Sequence, residues 1–457
     1  MTDIARQMAA YATQLRFEHL DPKVVREIQR RLLDSIACSL GASGAAPVEI
    51  AKRIAGAAKG SPGSIVFGTG QVSTPDMAAF ANGTQIRYLD YNDTYLSLEP
   101  CHPSDNFAAT LAIATRDGSS GEEFITASAL AYEILCRLCD AKSIRLRNWD
   151  HVTYGNFSTA LAAAKLMGLS EEATVHALGL AGTPNNALRQ TRVGELSMWK
   201  GCAFANASRG GVFAALLAEA GMTGPAPIFE GEKGFFDRIS GPFDLTLPKA
   251  GESPSMILGT YIKFWPAEYH SQTAIEICLK VRDEVGPAEN IESILIESFD
   301  AAVDIIGEEE EKWRPKSRET ADHSMPYCVA AALMDGEVNL QTFDEERIAD
   351  PKLQALIQKV KIVRDDELSK KYPDGIPNNI EIETKDGRTI RERLDYAHGH
   401  PNNPLSDEEI VDKLRSLAEG KISSNLVENI VDWVFSMDRK GDLRELAEMC
   451  VWEAPKV

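Results

Sequence analysis

The hydrophobic positions of this chain fall into two regimes. Through the first half they recur at helical spacing. Asp21 precedes Pro22, a residue favoured in the first turn of a helix, and Val25, Ile28, Leu32, Ile36 and Leu40 follow at intervals of three and four until Gly41. That pattern predicts an amphipathic helix. Thr74-Pro75-Asp76 opens another that carries Met77, Phe80 and Ala81, and helical patterns cover about 106–116, 121–139, 156–167, 170–181 and 201–220. Residues 157–166 and 210–217 are nearly apolar all round, which places them inside a multi-helix assembly or at a subunit interface.

Near Gly221 the regime changes. Gly and Pro become frequent, in Gly224-Pro225, Gly241-Pro242 and Pro254, and strand-like alternation replaces the helical period. The elements predicted there are a strand ending near Lys263, a helix over 271–285, a strand over 291–299, a helix over 325–334 and a strand over 359–363. A hairpin, 380–383 with 389–391, turns at Asp386-Gly387. After His400-Pro401 helices return: Ser406 and Glu409 form a capping box before Ile410, Leu414 and Leu417, and a Trp-containing helix lies near 424–436. The fold class expected is mainly α, a large all-α domain (1–250) with an inserted smaller α+β lid (251–400) and C-terminal helices (401–457) rejoining the first domain.

Composition narrows what such a chain does. With 48 basic against 68 acidic residues it carries a net charge of −20, which opposes binding to nucleic-acid backbones or an anionic membrane surface. A chain 44% hydrophobic and 25% charged is of ordinary globular composition. No run free of Asp, Glu, Lys and Arg is longer than the 16 residues of 173–188, which is broken by Gly179, Gly182 and Pro184 and cannot span a bilayer, and the start, Met1-Thr2-Asp3, lacks the order of a signal peptide. A cytoplasmic location is expected. The eight Cys show no framework spacing and read as reduced, buried thiols.

Candidate chemistry gathers around histidines in loop-like contexts. His102 follows Asp93 and Thr94 closely enough for a carboxylate, a hydroxyl and an imidazole to share one loop, a trio suited to proton transfer. Turn hydrogen bonds from Asp93 and Thr94, with His102 packed beside Pro103, explain the same spacing equally well. His151 and Tyr154 precede a nearly apolar helix whose N-terminus could face an anion, although capping by Asn156 is the plainer reading. Lys200, between Trp199 and Gly201, either snorkels or binds an anion, and Arg189 and Arg192 add two cations just before it. Lys263 resembles it, leading into Pro266-Ala267-Glu268-Tyr269-His270, and a surface ion pair is the alternative for each lysine. Cys136-x-x-Cys139 falls within a helical pattern with no second pair, His398-x-His400 lacks a complement, and neither a phosphate-binding Gly-rich loop nor a G-x-S-x-G elbow is present. What remains is His, Asp, Tyr and Lys chemistry on an anionic substrate, which fits proton abstraction beside a carboxylate.

Four strings taken together resemble the MmgE/PrpD family of 2-methylcitrate dehydratases and cis-aconitate decarboxylases. They are Tyr88-Leu89-Asp90-Tyr91-Asn92-Asp93-Thr94 with His102-Pro103, Gly194-Glu195-Leu196-Ser197-Met198-Trp199-Lys200, Lys263 with Pro266-Ala267-Glu268-Tyr269-His270-Ser271-Gln272, and Arg318-Glu319-Thr320-Ala321-Asp322-His323-Ser324. The resemblance runs over nearly the whole chain and is strongest to the 2-methylcitrate dehydratase branch. It implies a helical domain with an α+β lid, a homodimer, and a site between the domains lined by Asp93, Thr94, His102, His151, Lys200, Lys263 and His270, working without metal or other cofactor. Relatives often carry a second Asp where this chain has Asn92, and Gly where it has Ser104.

The activity expected on that basis is dehydration of a tricarboxylate such as 2-methylcitrate to 2-methyl-cis-aconitate, in propionate catabolism. A base, His151 or Asp93, removes the proton alpha to a carboxylate, and an acid, His102 or Tyr154, protonates the departing hydroxyl. Lys200 and Lys263 hold carboxylates, with Thr94 and His270 also binding substrate. Decarboxylation of cis-aconitate or epimerisation of a related acid passes through a similar carbanion and is the alternative. A non-catalytic acidic scaffold would leave Trp199-Lys200 and Lys263 to His270 unexplained, and aconitase-like iron–sulfur chemistry lacks its clustered cysteines.

Overall fold

The computed structural model describes residues 3–453; residues 1–2 and 454–457, at the ends of the domain plan above, lie outside them. The chain is 57% helix and 9% strand, mainly α. It divides into two compact units. The first comprises Met1–Arg192, Met198–Thr260 and Ser406–Val457, and the second Val193–Ser197 with Tyr261–Leu405.

The first unit is helical. Its main elements are α1 (Ile4–Gln14), α2 (Pro22–Gly41), α3 (Ala46–Ala57), α4 (Pro75–Arg87), α5 (Phe107–Asp117), α6 (Gly121–Ala141), α7 (Val152–Leu166), α8 (Glu171–Gly182) and α9 (Ala203–Glu219). A two-stranded ribbon, β1 (Ser64–Ile65) with β2 (Val72–Ser73), precedes α4. The start of α2 follows from its sequence: the Asp21 carboxylate accepts the Lys23 N–H at 2.8 Å and Pro22 occupies the first turn. Helix α7 packs against α6, α8 and α9, and α4 packs against α5 and α9. Small side chains permit this: a core of Ala79, Ala109, Ala112, Ala163, Val212 and Ala215 sits between the helices. A Cβ at Gly211 of α9 would come within 2.1 Å of Thr159 Oγ1 on α7, so this approach requires glycine.

The pattern had α7 starting near 156. It starts at Val152, with His151 at the capping position, and Asn156 lies inside the helix, where its Nδ2 donates to the Asn185 carbonyl at 2.9 Å. A helix buried on every side gives no amphipathic phase from which to read its first turn.

The second unit carries a four-stranded sheet in the order β4-β3-β5-β6, with β3 (Ile291–Ser298), β4 (Val360–Arg364), β5 (Asn378–Thr384) and β6 (Thr389–Leu394). Strands β3 and β4 are parallel and the other pairs antiparallel. Isoleucines 294, 296, 380 and 382 alternate onto one buried face, against which α10 (Gln272–Val285) packs, and α11 (Met325–Asp335) packs on α10. The hairpin turns at Gly387, whose φ of 86° favours glycine. The expected strand ending near Lys263 is not formed. The Tyr261 ring instead stacks on Tyr269 and on His400, and Phe264 packs edge-on against Trp265 and His398.

The C-terminal helices of the first unit, α12 (Asp407–Ala418) and α13 (Ser424–Phe435), pack on α2, and Ser406 with Glu409 closes the capping box at the start of α12. All eight Cys are buried, and no two of them form a disulfide. Among the described residues no helix is long and apolar enough to cross a membrane.

Candidate active site

In the first unit the loop after α4 is built to be held still. Asp93 is buried, and its carboxylate accepts the Ser104 N–H and the Tyr132 hydroxyl, each at 2.8 Å, with Arg31 Nε at 3.6 Å. Burial pushes that carboxyl up, and Arg31 pulls it back. Engaged on both oxygens, Asp93 anchors the loop. From α12, Lys413 Nζ reaches the Tyr91 carbonyl and the Asp34 carboxylate, each at 2.7 Å, and lies 3.5 Å from the centre of the Tyr91 ring.

Within this frame Asp90 adopts a left-handed φ of 51°, uncommon outside glycine. Its carboxylate meets Arg87 Nη1 at 2.8 Å and Lys200 Nζ at 3.0 Å. Arg87 Nη2 lies 3.0 Å from His102 Nε2, whose ring Nδ1 is 2.8 Å from the Asp93 carbonyl and 3.1 Å from Thr94 Oγ1. Thr94, His102 and Lys200 are thereby brought together through Arg87 and Asp90. Neither Arg87 nor Asp90 is singled out by the sequence pattern; the only signal is the place of Asp90 in the Tyr88–Thr94 string.

His151 joins this group, its ring centroid 6.1 Å from that of His102. Its Nδ1 lies 3.1 Å from Asp150 Oδ1, while Asp150 Oδ2 takes Arg192 Nε at 2.9 Å. Burial would raise the Asp150 carboxyl, but Arg192 and the Val152 N–H hold it below the usual carboxylate range. For His151, burial together with Arg192, Arg87 and Arg189 outweighs Asp150 and pushes the imidazole down to about 3. The ring is therefore neutral at physiological pH, with its proton on the nitrogen facing Asp150, and its buried Nε2 has no hydrogen-bond partner. An unshared lone pair beside several cations is the equipment of a general base acting on an anion.

Tyr154 sits one turn along α7, and its hydroxyl donates to the Lys142 carbonyl at 2.8 Å. The proton it would offer is committed to main chain. The two positions where relatives often differ prove to touch: Asn92 Nδ2 donates to Ser104 Oγ at 2.9 Å and to Asp105 Oδ1 at 2.8 Å. A carboxylate at 92 would face Asp105, which burial already pushes up to about 7.

The second unit holds its own group. His270 Nδ1 lies 2.7 Å from Glu268 Oε1, the His270 main-chain N–H donates to Glu268 Oε2 at 2.8 Å, and the ring packs against Phe299 and Tyr372. Burial would raise Glu268, yet His270, His323 and Lys263 hold it near 2. Asp322 accepts from His323 Nδ1 at 2.6 Å and, through its carbonyl, from the Glu268 N–H at 2.8 Å. The His270 Nε2 is buried without a hydrogen-bond partner, and Lys263 is 1% exposed.

Within either unit taken alone, no three His, Cys, Asp or Glu ligand atoms converge within 4.8 Å among the described residues. Cys136 and Cys139 lie in α6, where burial pushes both thiols up, Cys136 to about 11.

A neutral imidazole among cations is chemistry suited to proton transfer on an anion. The MmgE/PrpD N-terminal domain matches residues 6–248 and the MmgE/PrpD C-terminal domain residues 265–437, so the chain belongs to the MmgE/PrpD family. Similar curated proteins include the mitochondrial 2-methylcitrate dehydratase of Yarrowia lipolytica, 31% identical over 74% of this chain and 69% of that protein. The 2-methylcitrate dehydratase of Escherichia coli is 29% identical over 81% of this chain and 80% of its own. The cis-aconitate decarboxylase of Homo sapiens is 25% identical over 100% of this chain and 96% of its own.

Proposed function

We propose that this chain is a lyase that dehydrates a tricarboxylate of the 2-methylcitrate type to 2-methyl-cis-aconitate. The observation that carries the reading is the neutral His151, its Nε2 without a partner in the field of Arg192, Arg87 and Arg189. His151 removes the proton alpha to a carboxylate, with Asp150 holding the ring. The cations stabilise the enolate-like dianion, which otherwise forms at great cost in a protein of net charge −20. The carbon–oxygen bond then breaks, and the hydroxyl leaves as water with a proton from His102. Lys263 and His270 bind the remainder of the substrate.

One observation favours a second reading. The human cis-aconitate decarboxylase aligns over the whole chain, whereas the dehydratases named above align over 74–81% of it. Decarboxylation begins from a similar array of cations and ends with the protonation of a carbanion. Incubating the purified protein with 2-methylcitrate, citrate and cis-aconitate and following products by NMR separates the two: an unsaturated tricarboxylate from 2-methylcitrate supports dehydration. Carbon dioxide from cis-aconitate with no dehydration overturns it.

The proposal extends to a homodimer. Phe213 and Trp199, together with Ile50 and Ile54, are each about half exposed on helical segments of the first unit, large apolar side chains that a second copy would cover. Light scattering at micromolar concentration should give twice the chain mass, and a stable active monomer contradicts it.

A further inference from the structure

The guanidinium of Arg87 does more than neutralise Asp90. It is 3% exposed at the end of α4, with Nη1 on Asp90 Oδ1 at 2.8 Å, Nε 3.8 Å from Asp105 Oδ2, and Nη2 3.0 Å from His102 Nε2. A guanidinium can only donate, so Nε2 of His102 accepts. At the opposite side of the ring, the Asp93 carbonyl 2.8 Å from Nδ1 can only accept, so Nδ1 carries the proton. Two contacts made separately, one at each nitrogen, require the same tautomer. A proton added at Nε2 would meet the Arg87 donor head-on.

We infer that Arg87 is a positioning residue that fixes His102 as the neutral Nδ1–H imidazole and releases Nε2 only when a substrate carboxylate takes over its guanidinium. A carboxylate matches the two-pronged guanidinium better than a single ring nitrogen does. The charged and titratable groups around His102 in its own unit include Asp90, whose Oδ1 is 4.0 Å from Nε2, Lys200 on that carboxylate, Asp105 behind Arg87, and the His151 ring. With Arg87 drawn onto the substrate, Nε2 faces Asp90 and takes a proton from solvent. That proton passes to the departing hydroxyl as the carbon–oxygen bond breaks, water leaves, and His102 returns to the Nδ1–H form. His151 surrenders the carbon-derived proton to solvent, so both imidazoles end as they began. Coupling the acid to carboxylate recognition in this way keeps His102 without a transferable proton until substrate is in place.

The tautomer lock stands on geometry alone; the release step rests on the tricarboxylate reading. Nitrogen-15 NMR of the full chain with labelled histidine tests both, the His102 signals being assigned by their loss in His102→Gln. The ligand-free protein should show Nδ1 protonated and Nε2 unprotonated, and Arg87→Met or Arg87→Ala should move His102 toward the doubly protonated form, Nε2 gaining a proton beside Asp90 while Nδ1 keeps its own on the Asp93 carbonyl. An Nε2–H tautomer in the unsubstituted protein, or no change in a folded Arg87 variant, overturns the lock. The first outcome needs no variant, so a misfolded Arg87→Met does not protect the idea. Tricarballylate, a tricarboxylate with no hydroxyl to lose, should convert His102 to the doubly protonated form. Calorimetric binding with His102 unchanged overturns the release step. Failure of tricarballylate to bind overturns the tricarboxylate reading and the release step with it, while the ligand-free spectrum still decides the lock.

Discussion

His151 with Asp150 and His270 with Glu268 are the same pairing of imidazole and carboxylate, one in each unit, in opposite surroundings. Asp150 is shared: Arg192 takes one oxygen while His151 takes the other, and Arg87 and Arg189 add positive charge that works against a second proton on the ring. Glu268 instead accepts from both the ring and the main chain of His270, and it is the carboxylate that the neighbouring His323 and Lys263 stabilise. What competes for the carboxylate decides what the imidazole can do. Where arginines hold it, the ring stays neutral with an unshared lone pair, as the proposed base requires. Where imidazoles and an ammonium surround it, those groups hold the carboxylate low, and the part proposed for the pair is binding.

The widest separation between the two pairs should appear when each imidazole is removed. His151→Gln should lower kcat by about 10²–10⁴ while leaving KM near its normal value, because a general base contributes to the transition state and little to binding. His270→Gln should cost about tenfold, mostly in KM, as expected for loss of a contact to a charged ligand group. Steady-state kinetics on the acid that is turned over provides the check, and equal effects from the two substitutions would erase the difference between the pairs.

The lysines come next in size. Lys200→Met and Lys263→Met should each reduce kcat/KM by about ten- to a hundredfold, the range for losing a charge-assisted hydrogen bond. The two should differ in stability. Lys200 is ion-paired with the buried Asp90, so its removal leaves that carboxylate with Arg87, and adding Asp90→Asn to Lys200→Met should restore part of the melting temperature but none of the activity. Thermal unfolding of the single and double variants measures this.

Most of the helices were legible because their apolar positions carry a phase and their ends carry caps: Asp21-Pro22 before α2, Ser120 with Glu123 at α6, Ser406 with Glu409 at α12. The sequence pattern misled where a hydrophobic run served something other than a face. The aromatic residues around Lys263 look like an alternating strand, yet their rings stack on one another and on His398 and His400. In the site, His102, His151 and Lys200 stood out by their Gly- and Pro-flanked contexts. Arg87 did not, because a charged residue in the last turn of a helix is ordinary until its partners are known. Asp93 looked more chemical than Asp90 on spacing alone. The difference between them is made by Ser104 and Tyr132, which engage Asp93, and by the left-handed backbone that turns Asp90 toward Lys200.

The smallest effect expected is also the one that most directly separates the units, since it reads protonation without turnover. In the first unit two buried groups titrate in opposite senses. His151 has its pKa lowered from 6.5 to about 3, so between these values the unfolded chain holds a proton that the folded one lacks, and the stability this neutral ring provides is lost as pH falls through that window. Asp105 has its pKa raised from 3.8 to about 7, so the folded chain holds a proton that the unfolded one lacks, and its contribution is lost as pH rises through that window. Over the overlap the two cancel. Glu268, held near 2 against 4.5, loses its contribution only below about 4.5 and stays outside the comparison if the pH is kept above that value. Between pH 4.5 and 6.5, Asp105→Asn should therefore tilt the stability curve downward toward acid by up to about 1.4 kcal/mol per pH unit relative to the unsubstituted protein. His151→Phe should tilt it the other way by a similar amount, and Glu268→Gln should leave it untilted in this range. Denaturant unfolding at a series of pH values, each variant taken as a difference from the unsubstituted protein, measures the tilts. A tilt of the same sign for Asp105→Asn and His151→Phe would mean that His151 is protonated in the folded protein and cannot serve as the base.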